Sequence, residues 1–305
     1  MSWTLLAALA ISGEGDGSMI PKFVPRISIY GWQYWSDVAV AKGCRIQRHA
    51  VYDGYRVLDA DDRCVAAGSR ELCDRELSRR LQLKMAEPYR GEVVLLMHGV
   101  LRSSRSMVKL AERLESQGFA VAKLDYASSC MPIARHAENM RLVVDGLKEA
   151  SAIHVVGHSM GGLVTRRYLA GSPDARVKRV VLMGTPNQGS QIADLVNELR
   201  LFHFIFGPAG KELCTGRDGE ACRLPEGVEA AVVAGGIGKK SGLNPFFKAD
   251  NDGIVTVDSA KLPGASDFLM VPAFHGRLVH NVEAADAVGR FLRSGKLRPG
   301  DRVPN

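Results

Sequence analysis

The stretch "HVVGHSMGGLV", residues 154–164, sets an apolar run directly against a serine held between glycines and then passes at once into a segment with helical spacing. Ser159 lies in Gly157-His158-Ser159-Met160-Gly161, the G-x-S-x-G spacing of a strained turn between strand and helix that pushes a hydroxyl into open space. The flanks supply the context that five residues alone lack. Residues 152–156 read as a buried strand, and residues 162–170 carry apolar positions at helical spacing. A side chain at Gly157 or Gly161 would crowd the turn, and Gly162 lets the new helix pack close to the sheet.

Outward from this point, short apolar runs alternate with amphipathic stretches from residue 91 onward. Strands are expected at 93–97, 119–124, 152–156, 177–183, 229–233 and 267–271, and helices at 104–117, 134–150, 162–170, 190–201 and 281–294. Such alternation predicts an α/β fold with right-handed crossovers, a mostly parallel central sheet and helices on both faces. Sites on open sheets of this kind lie beyond the carboxyl ends of the strands. Ahead of this core, residues 44–51 and 55–58 flank an Asp53-Gly54 turn and read as a hairpin, with 63–67 as a third strand, so an antiparallel lead-in to the sheet is expected. The organisation is then a loose segment at 1–26, an aromatic-rich extension and hairpin at 27–90, a core at 91–297 and a tail at 298–305. Trp32, Tyr34 and Trp35 suit burial against the domain, or alternatively a lipid-facing anchor.

A chain of 305 residues with 46% hydrophobic and 24% charged residues can bury about three quarters of its unfolded surface, so disorder is excluded. The net charge of +7 gathers in part at 75–84 and 290–302, but without the interleaved aromatics of a single-strand binder, so solvated surface is favoured and nucleic acid is not expected as a partner. Peripheral attraction to an anionic lipid surface stays open. The apolar run at 3–11 is too short to span a bilayer and lacks the positive start of a secretory signal, which favours the cytoplasm over the periplasm or a membrane. The six cysteines show no C-x-x-C spacing, so no zinc site is expected; Cys214 and Cys222 can pair across a loop in an oxidising compartment or stay as thiols.

A serine hydroxyl is nearly inert until a base removes its proton, so the turn at Ser159 predicts a carboxylate and then a histidine further along the chain. Asp252, in the loop Lys248-Ala249-Asp250-Asn251-Asp252-Gly253, is the favoured acid, with Ile254 and Val255 anchoring the loop to the core. Asp250 and Asp258 are rivals, and an Asn-Asp-Gly run on its own is merely a turn. Of eight histidines, only His275 and His280 follow the acid. His275 closely follows a strand, whereas His280 suits a capping or surface role at the start of a helix. An oxyanion would need two N–H donors: Met160, after the nucleophile, and Val100, in the loop His98-Gly99-Val100-Leu101. Gly99 leaves that backbone open to approach, and the His98 side chain is placed to hold the loop by hydrogen bonds.

On these residues, together with Gly184-Thr185-Pro186-Asn187-Gln188-Gly189-Ser190, the chain from Glu92 to Leu297 resembles the α/β-hydrolase superfamily and, within it, bacterial lipases and esterases. The Gly-Thr-Pro string is similar to one in lipases and in deacylases of lipid-anchored proteins. The resemblance implies an acyl hydrolase without cofactor or metal, acting on an acyl ester or lipid, with a cap at 187–227. That cap would hold Leu201-Phe202-His203-Phe204-Ile205-Phe206, five apolar side chains in six positions, too many for one face of a surface helix. Leu101, Phe202 and Phe206 are the candidate substrate contacts. An acyltransferase or a thioesterase would share every catalytic residue, and a binding protein on the same fold is the reading from another class.

Overall fold

The computed structural model describes residues 31–188 and 224–299. Its centre is a six-stranded parallel sheet in the order β10-β9-β8-β7-β5-β6. These strands are β5 (Gly91–Met97), β6 (Ala120–Leu124), β7 (Ala150–His158), β8 (Val177–Met183), β9 (Glu229–Gly235) and β10 (Asp267–Val271). Buried on both faces, they read as continuous apolar runs rather than as alternation. Val93, Leu95 and Met97 of β5 face α3 (Ile133–Gly146) and α4 (Met160–Leu169), while Val94 and Leu96 face α2 (Val108–Glu115) and α6 (Val282–Ser294); a single turn, α5 (Val257–Ala260), precedes β10. This is the α/β-hydrolase fold, with helices on both faces of the sheet as the alternating pattern requires.

The chain leaves β5 toward β6 on one side and returns to β7 on the other. Connections on the two sides of this pair therefore diverge, and a crevice opens at the carboxyl ends of β5 and β7, the topological switch point where open sheets take ligands. Gly99 and Ser159 stand at its two lips.

The lead-in differs from its expected form. It makes a separate four-stranded antiparallel sheet, β1 (Trp35–Ala41), β2 (Cys44–His49), β3 (Tyr55–Asp59) and β4 (Cys64–Gly68), in that order. Of the aromatic-rich stretch, which sequence alone did not assign to an element, Tyr34 lies in a 3-10 turn (Gly31–Tyr34) and Trp35 opens the first strand. Val38, Ile46 and Val57 pack with Cys73 of α1 (Arg70–Gln82), whose first turn Ser69 caps through a hydrogen bond from the Leu72 N–H. Expected helix 134–150 ends at Gly146 because β7 already begins at Ala150, and expected helix 104–117 opens as a 3-10 turn, Ser104–Met107. The end of α6 is set by Gly295 at φ 74°, the left-handed conformation that glycine adopts without strain. Most of the expected cap, including Phe202 and Phe206, lies outside the described residues. Among the described residues no helix is long and apolar enough to cross a membrane, and Cys44, Cys64, Cys73 and Cys130 are free thiols.

Two measurements test this packing. Phe291 on α6 is wholly buried against the sheet, so Phe291→Ala is expected to lower the unfolding free energy by about 3–5 kcal/mol in urea titrations. Burial raises the Asp37 carboxyl from its ordinary 3.8 to about 7, against the pull of Arg45 and with the push of Asp125. Such a group favours the fold fully below its unfolded-state value and loses that contribution as pH rises through the folded-state value. The stability of Asp37→Asn relative to the parent should therefore improve as pH climbs between those two values. A difference independent of pH would contradict this assignment.

Candidate active site

Ser159 has φ 54° and ψ −120°, a conformation that costs a residue with a Cβ on the order of 1–3 kcal/mol. It persists because the turn is clamped on both sides. The Ser159 N–H donates to the Met183 carbonyl at 2.9 Å, and the Gly162 N–H donates to the Ser159 carbonyl at 3.0 Å. A Cβ at Gly161 would come within 2.3 Å of the Met97 carbonyl oxygen, and one at Gly162 within 1.9 Å of the Thr185 hydroxyl. Helix α4 can start here only with glycine at both places.

Serine at a helix N-cap ordinarily turns its hydroxyl onto the first N–H groups. Ser159 makes no such bond. Its hydroxyl lies 2.9 Å from His275 Nε2, and His275 Nδ1 lies 2.7 Å from Asp252 Oδ2. A carboxylate cannot donate, so Nδ1 carries the proton and donates to Asp252, leaving Nε2 to accept from the Ser159 hydroxyl. All three side chains are buried, Asp252 at 1% exposure. The ring is therefore held in the tautomer in which its free nitrogen faces the serine.

The loops that carry the acid and the base are fixed by their own backbones. Asp252 Oδ1 accepts the N–H groups of Ile254 (3.0 Å) and Val255 (2.7 Å), and the His275 N–H donates to the Asp252 carbonyl at 2.8 Å. Val255 is buried, but Ile254 is 53% exposed and does not anchor the loop as expected; its backbone does, because the turn that delivers its N–H to Asp252 points its side chain outward. The rivals sit elsewhere. Asp250 accepts from the N–H groups of Ile237 and Gly238, and Asp258 pairs with Lys261. His280 ends a 3-10 turn, and the cap of α6 is Asn281, which accepts from the Ala284 N–H, so the capping role expected of His280 falls to its neighbour.

Sequence gave His158 no role beyond its place beside the serine. Its Nε2 lies 3.0 Å from the His275 carbonyl oxygen, which can only accept, so His158 donates and steadies the backbone of His275. Burial, reinforced by the neighbouring His275, holds its value well below the ordinary imidazole range, so it stays neutral. A histidine inside the G-x-S-x-G string was the only available signal.

Because the hydroxyl is turned away, the first N–H groups of α4, Met160's included, are free of a side-chain cap at the positive end of the helix dipole. Across the crevice a Cβ on Gly99 would lie 3.3 Å from the Ser159 Cβ, so the Gly99–Val100 peptide stands beside Ser159. Among the described residues the Val100 N–H has no hydrogen-bond partner, whereas that of Leu101 donates to Ser128 and that of Arg102 to the Gly99 carbonyl. His98 is wholly buried; its Nδ1 lies 2.7 Å from the Gly99 carbonyl and its ring stacks on Tyr126. The Leu101 side chain is exposed, and Val100 packs partly into the core.

A cleft of about 420 Å³ opens beside His275, lined by Leu243, Asn244, Pro245, Ile254, Phe274 and neighbours. A second, of about 480 Å³, lies at the amino-terminal ends of the strands around His154 and Arg179, far from any nucleophile paired with a base. Among the described residues no group of three His, Cys, Asp or Glu is arranged to hold a metal ion.

Comparison with known proteins gives partial likenesses. A family model described as a domain of unknown function, DUF7379, matches residues 71–212, fewer than half of the chain's 305 residues. Triacylglycerol lipases of Pseudarthrobacter phenanthrenivorans and Burkholderia plantarii are each 42% identical over 50 residues, 16% of this chain and 15% and 14% of theirs. The chain thus matches only about 15% of the length of these curated relatives. Among solved structures, the lin2722 product of Listeria innocua aligns at TM-score 0.49 and 14% identity, over 68% of this chain and 95% of that one. An esterase of Exiguobacterium antarcticum aligns at TM-score 0.45 and 14% identity, over 68% and 93%.

The clamp on the turn is testable without any substrate. Gly161→Ala is expected to lower the unfolding free energy by about 1–3 kcal/mol in urea titrations, since the atoms in its way belong to the backbone of β5. An unchanged midpoint would mean that helix and sheet are not in contact at this point.

Proposed function

We propose that the protein is a serine hydrolase of carboxylic esters, acting on acyl or lipid esters through an acyl-enzyme on Ser159. The observation that carries this reading is the continuous chain Ser159 Oγ to His275 Nε2 at 2.9 Å and His275 Nδ1 to Asp252 Oδ2 at 2.7 Å. His275 takes the hydroxyl proton as Ser159 attacks the ester carbonyl, and Asp252 stabilises the imidazolium that forms. The carbonyl oxygen gains negative charge beside the N–H groups of Met160 and Val100. Collapse breaks the ester bond, and the leaving alcohol takes the proton from His275. Water then attacks the acyl-enzyme, gives its proton to the same ring, and the acid leaves as the proton returns to Ser159.

The surroundings favour an apolar acyl group. Phe274 and Ile254 line the cleft half-exposed, Phe246 in the loop that carries Ile254 is 93% exposed, and Leu101 is exposed after β5. Apolar side chains gathered around a mouth suit a fatty acyl chain or contact with a lipid interface.

A fluorophosphonate probe is expected to label Ser159, and Ser159→Ala to abolish both labelling and hydrolysis of p-nitrophenyl esters. Asp252→Asn should lower kcat by about 10⁴-fold, because the ring loses the partner that fixes its tautomer. In a panel from acetyl to palmitoyl esters, kcat/KM should climb with chain length and climb further with a lipid interface present. A protein inert to the probe and to every ester contradicts the reading.

A further inference from the structure

The amino-terminal sheet lies outside the hydrolase core, yet its polar seam with the core ends at the loop after β5. We propose that this four-stranded sheet, with the 3-10 turn Gly31–Tyr34 that leads into it, braces the oxyanion loop, with Gln33, Asp37 and Arg45 as positioning residues that act through Ser128 and Asp125. The inference rests on the hydrolase reading for the role of Val100.

The brace runs through the segment that follows β6. On one side, that segment is tied to the small sheet. The Asp37 N–H donates to the Asp125 carbonyl at 2.8 Å, the Asp125 N–H donates to Asp37 Oδ2 at 2.7 Å, and the Ala127 N–H donates to Ser36 Oγ at 3.1 Å. Arg45 Nη1 donates to Asp125 Oδ2 at 3.0 Å and lies 3.8 Å from Asp37, whose other oxygen accepts from Gln47 at 2.9 Å. Asp62 accepts from the second nitrogen of Arg45.

On its other side the same segment holds the loop at both ends. Asp125 Oδ1 accepts the Ser104 N–H at 2.7 Å and Asp125 Oδ2 accepts the Ser104 hydroxyl at 2.8 Å. Ser128 Oγ accepts the Leu101 N–H at 3.0 Å, and Gln33 Oε1 accepts from the hydroxyls of Ser129 at 2.9 Å and Ser128 at 3.5 Å. The Tyr126 hydroxyl donates to the His98 carbonyl at 2.5 Å.

What is held is strained. Leu101 has φ 54°, a left-handed conformation that is unfavourable for a leucine and needs its surroundings to maintain it. The Val100 N–H faces the crevice from the Gly99–Val100 peptide, one peptide ahead of the Val100–Leu101 peptide that donates to Ser128. The Tyr126 bond to the His98 carbonyl and the Ser128 bond from the Leu101 N–H bracket the Gly99–Val100 peptide, and the bidentate grip on Ser104 holds the backbone that follows, so the donor has little freedom. The sheet thereby fixes where the second oxyanion donor points, and it does so from residues that never meet the substrate. An error of about 1 Å in such a group can cost on the order of 10²-fold in rate.

The test compares the full-length parent with Gln33→Met, Ser128→Ala and Arg45→Met, using Ser128→Thr as the rescue and Arg48→Ala, on β2 of the same sheet and stacked, among the described residues, only on Tyr55, as the control. Two readouts are taken: amide hydrogen exchange of peptides covering 99–104 and 153–158, and kcat and KM for p-nitrophenyl butyrate. Expected is exchange about tenfold faster at 99–104 with 153–158 still protected, and kcat lower by about tenfold with KM within about twofold. Ser128→Thr should restore both, and Arg48→Ala should change neither. Protection at 99–104 that stays at the parent level in Gln33→Met and Ser128→Ala overturns the brace. So does loosening that spreads equally to 153–158, or loosening without a fall in kcat. A parent inert to esters removes the hydrolase reading alone, and the exchange arm still decides whether the sheet holds the loop.

Discussion

The whole site hangs on one backbone conformation, the left-handed turn at Ser159. A residue with a Cβ does not hold φ 54° unaided, so the surroundings must impose it. They do so by closeness. Strand β7 is buried from Ile153 to His158, α4 buries most of its length, and glycines at 157, 161 and 162 bring strand end, helix start and the neighbouring strand ends into backbone contact. Energy gained by packing α4 onto the sheet is what keeps the turn strained. Released from helix capping, the hydroxyl meets the imidazole, and the freed helix amides face the same space.

The other two side chains arrive from the ends of β9 and β10, and here close approach again decides the geometry. A Cβ on Gly235, the last residue of β9, would lie 2.5 Å from the Ala273 carbonyl and 2.6 Å from Asp252 Cβ. Only a glycine lets both loops fold back over the strand end. Once they do, each stabilises the other: the backbone of Asp252 accepts from His275, and the side chain of Asp252 is saturated by two amides and the ring. His275 is thus held by its N–H, its carbonyl and both ring nitrogens. On the proposed mechanism, a ring so constrained needs little reorganisation when it takes a proton.

How much of this could be read in the residues follows from the range of the interactions. The turn at 157–161, the parallel sheet and the candidate acid and base were legible because spacing, hydropathy period and the strand-end rule are local or ordered along the chain. The structure brings Ser159, Asp252 and His275 together as that order requires. The brace was not legible: Arg45 meets Asp125 across 80 positions and Gln33 meets Ser129 across 96, and nothing in the local sequence of either partner announces the other. Nor was the small sheet's independence from the large one, since a hairpin pattern fixes pairing within itself but not the sheet it joins. Ile254 shows the same limit on a smaller scale. Its apolarity suggested an anchor, but a turn that spends its N–H on Asp252 sends the side chain to solvent.

The most direct measurement is the mass of the intact protein quenched in acid within the first turnover of a p-nitrophenyl ester. The account predicts a gain equal to one acyl group, localised by digestion to the peptide that contains Ser159 and absent from Ser159→Ala. Product release without any covalent adduct, or an adduct on another residue, would contradict it.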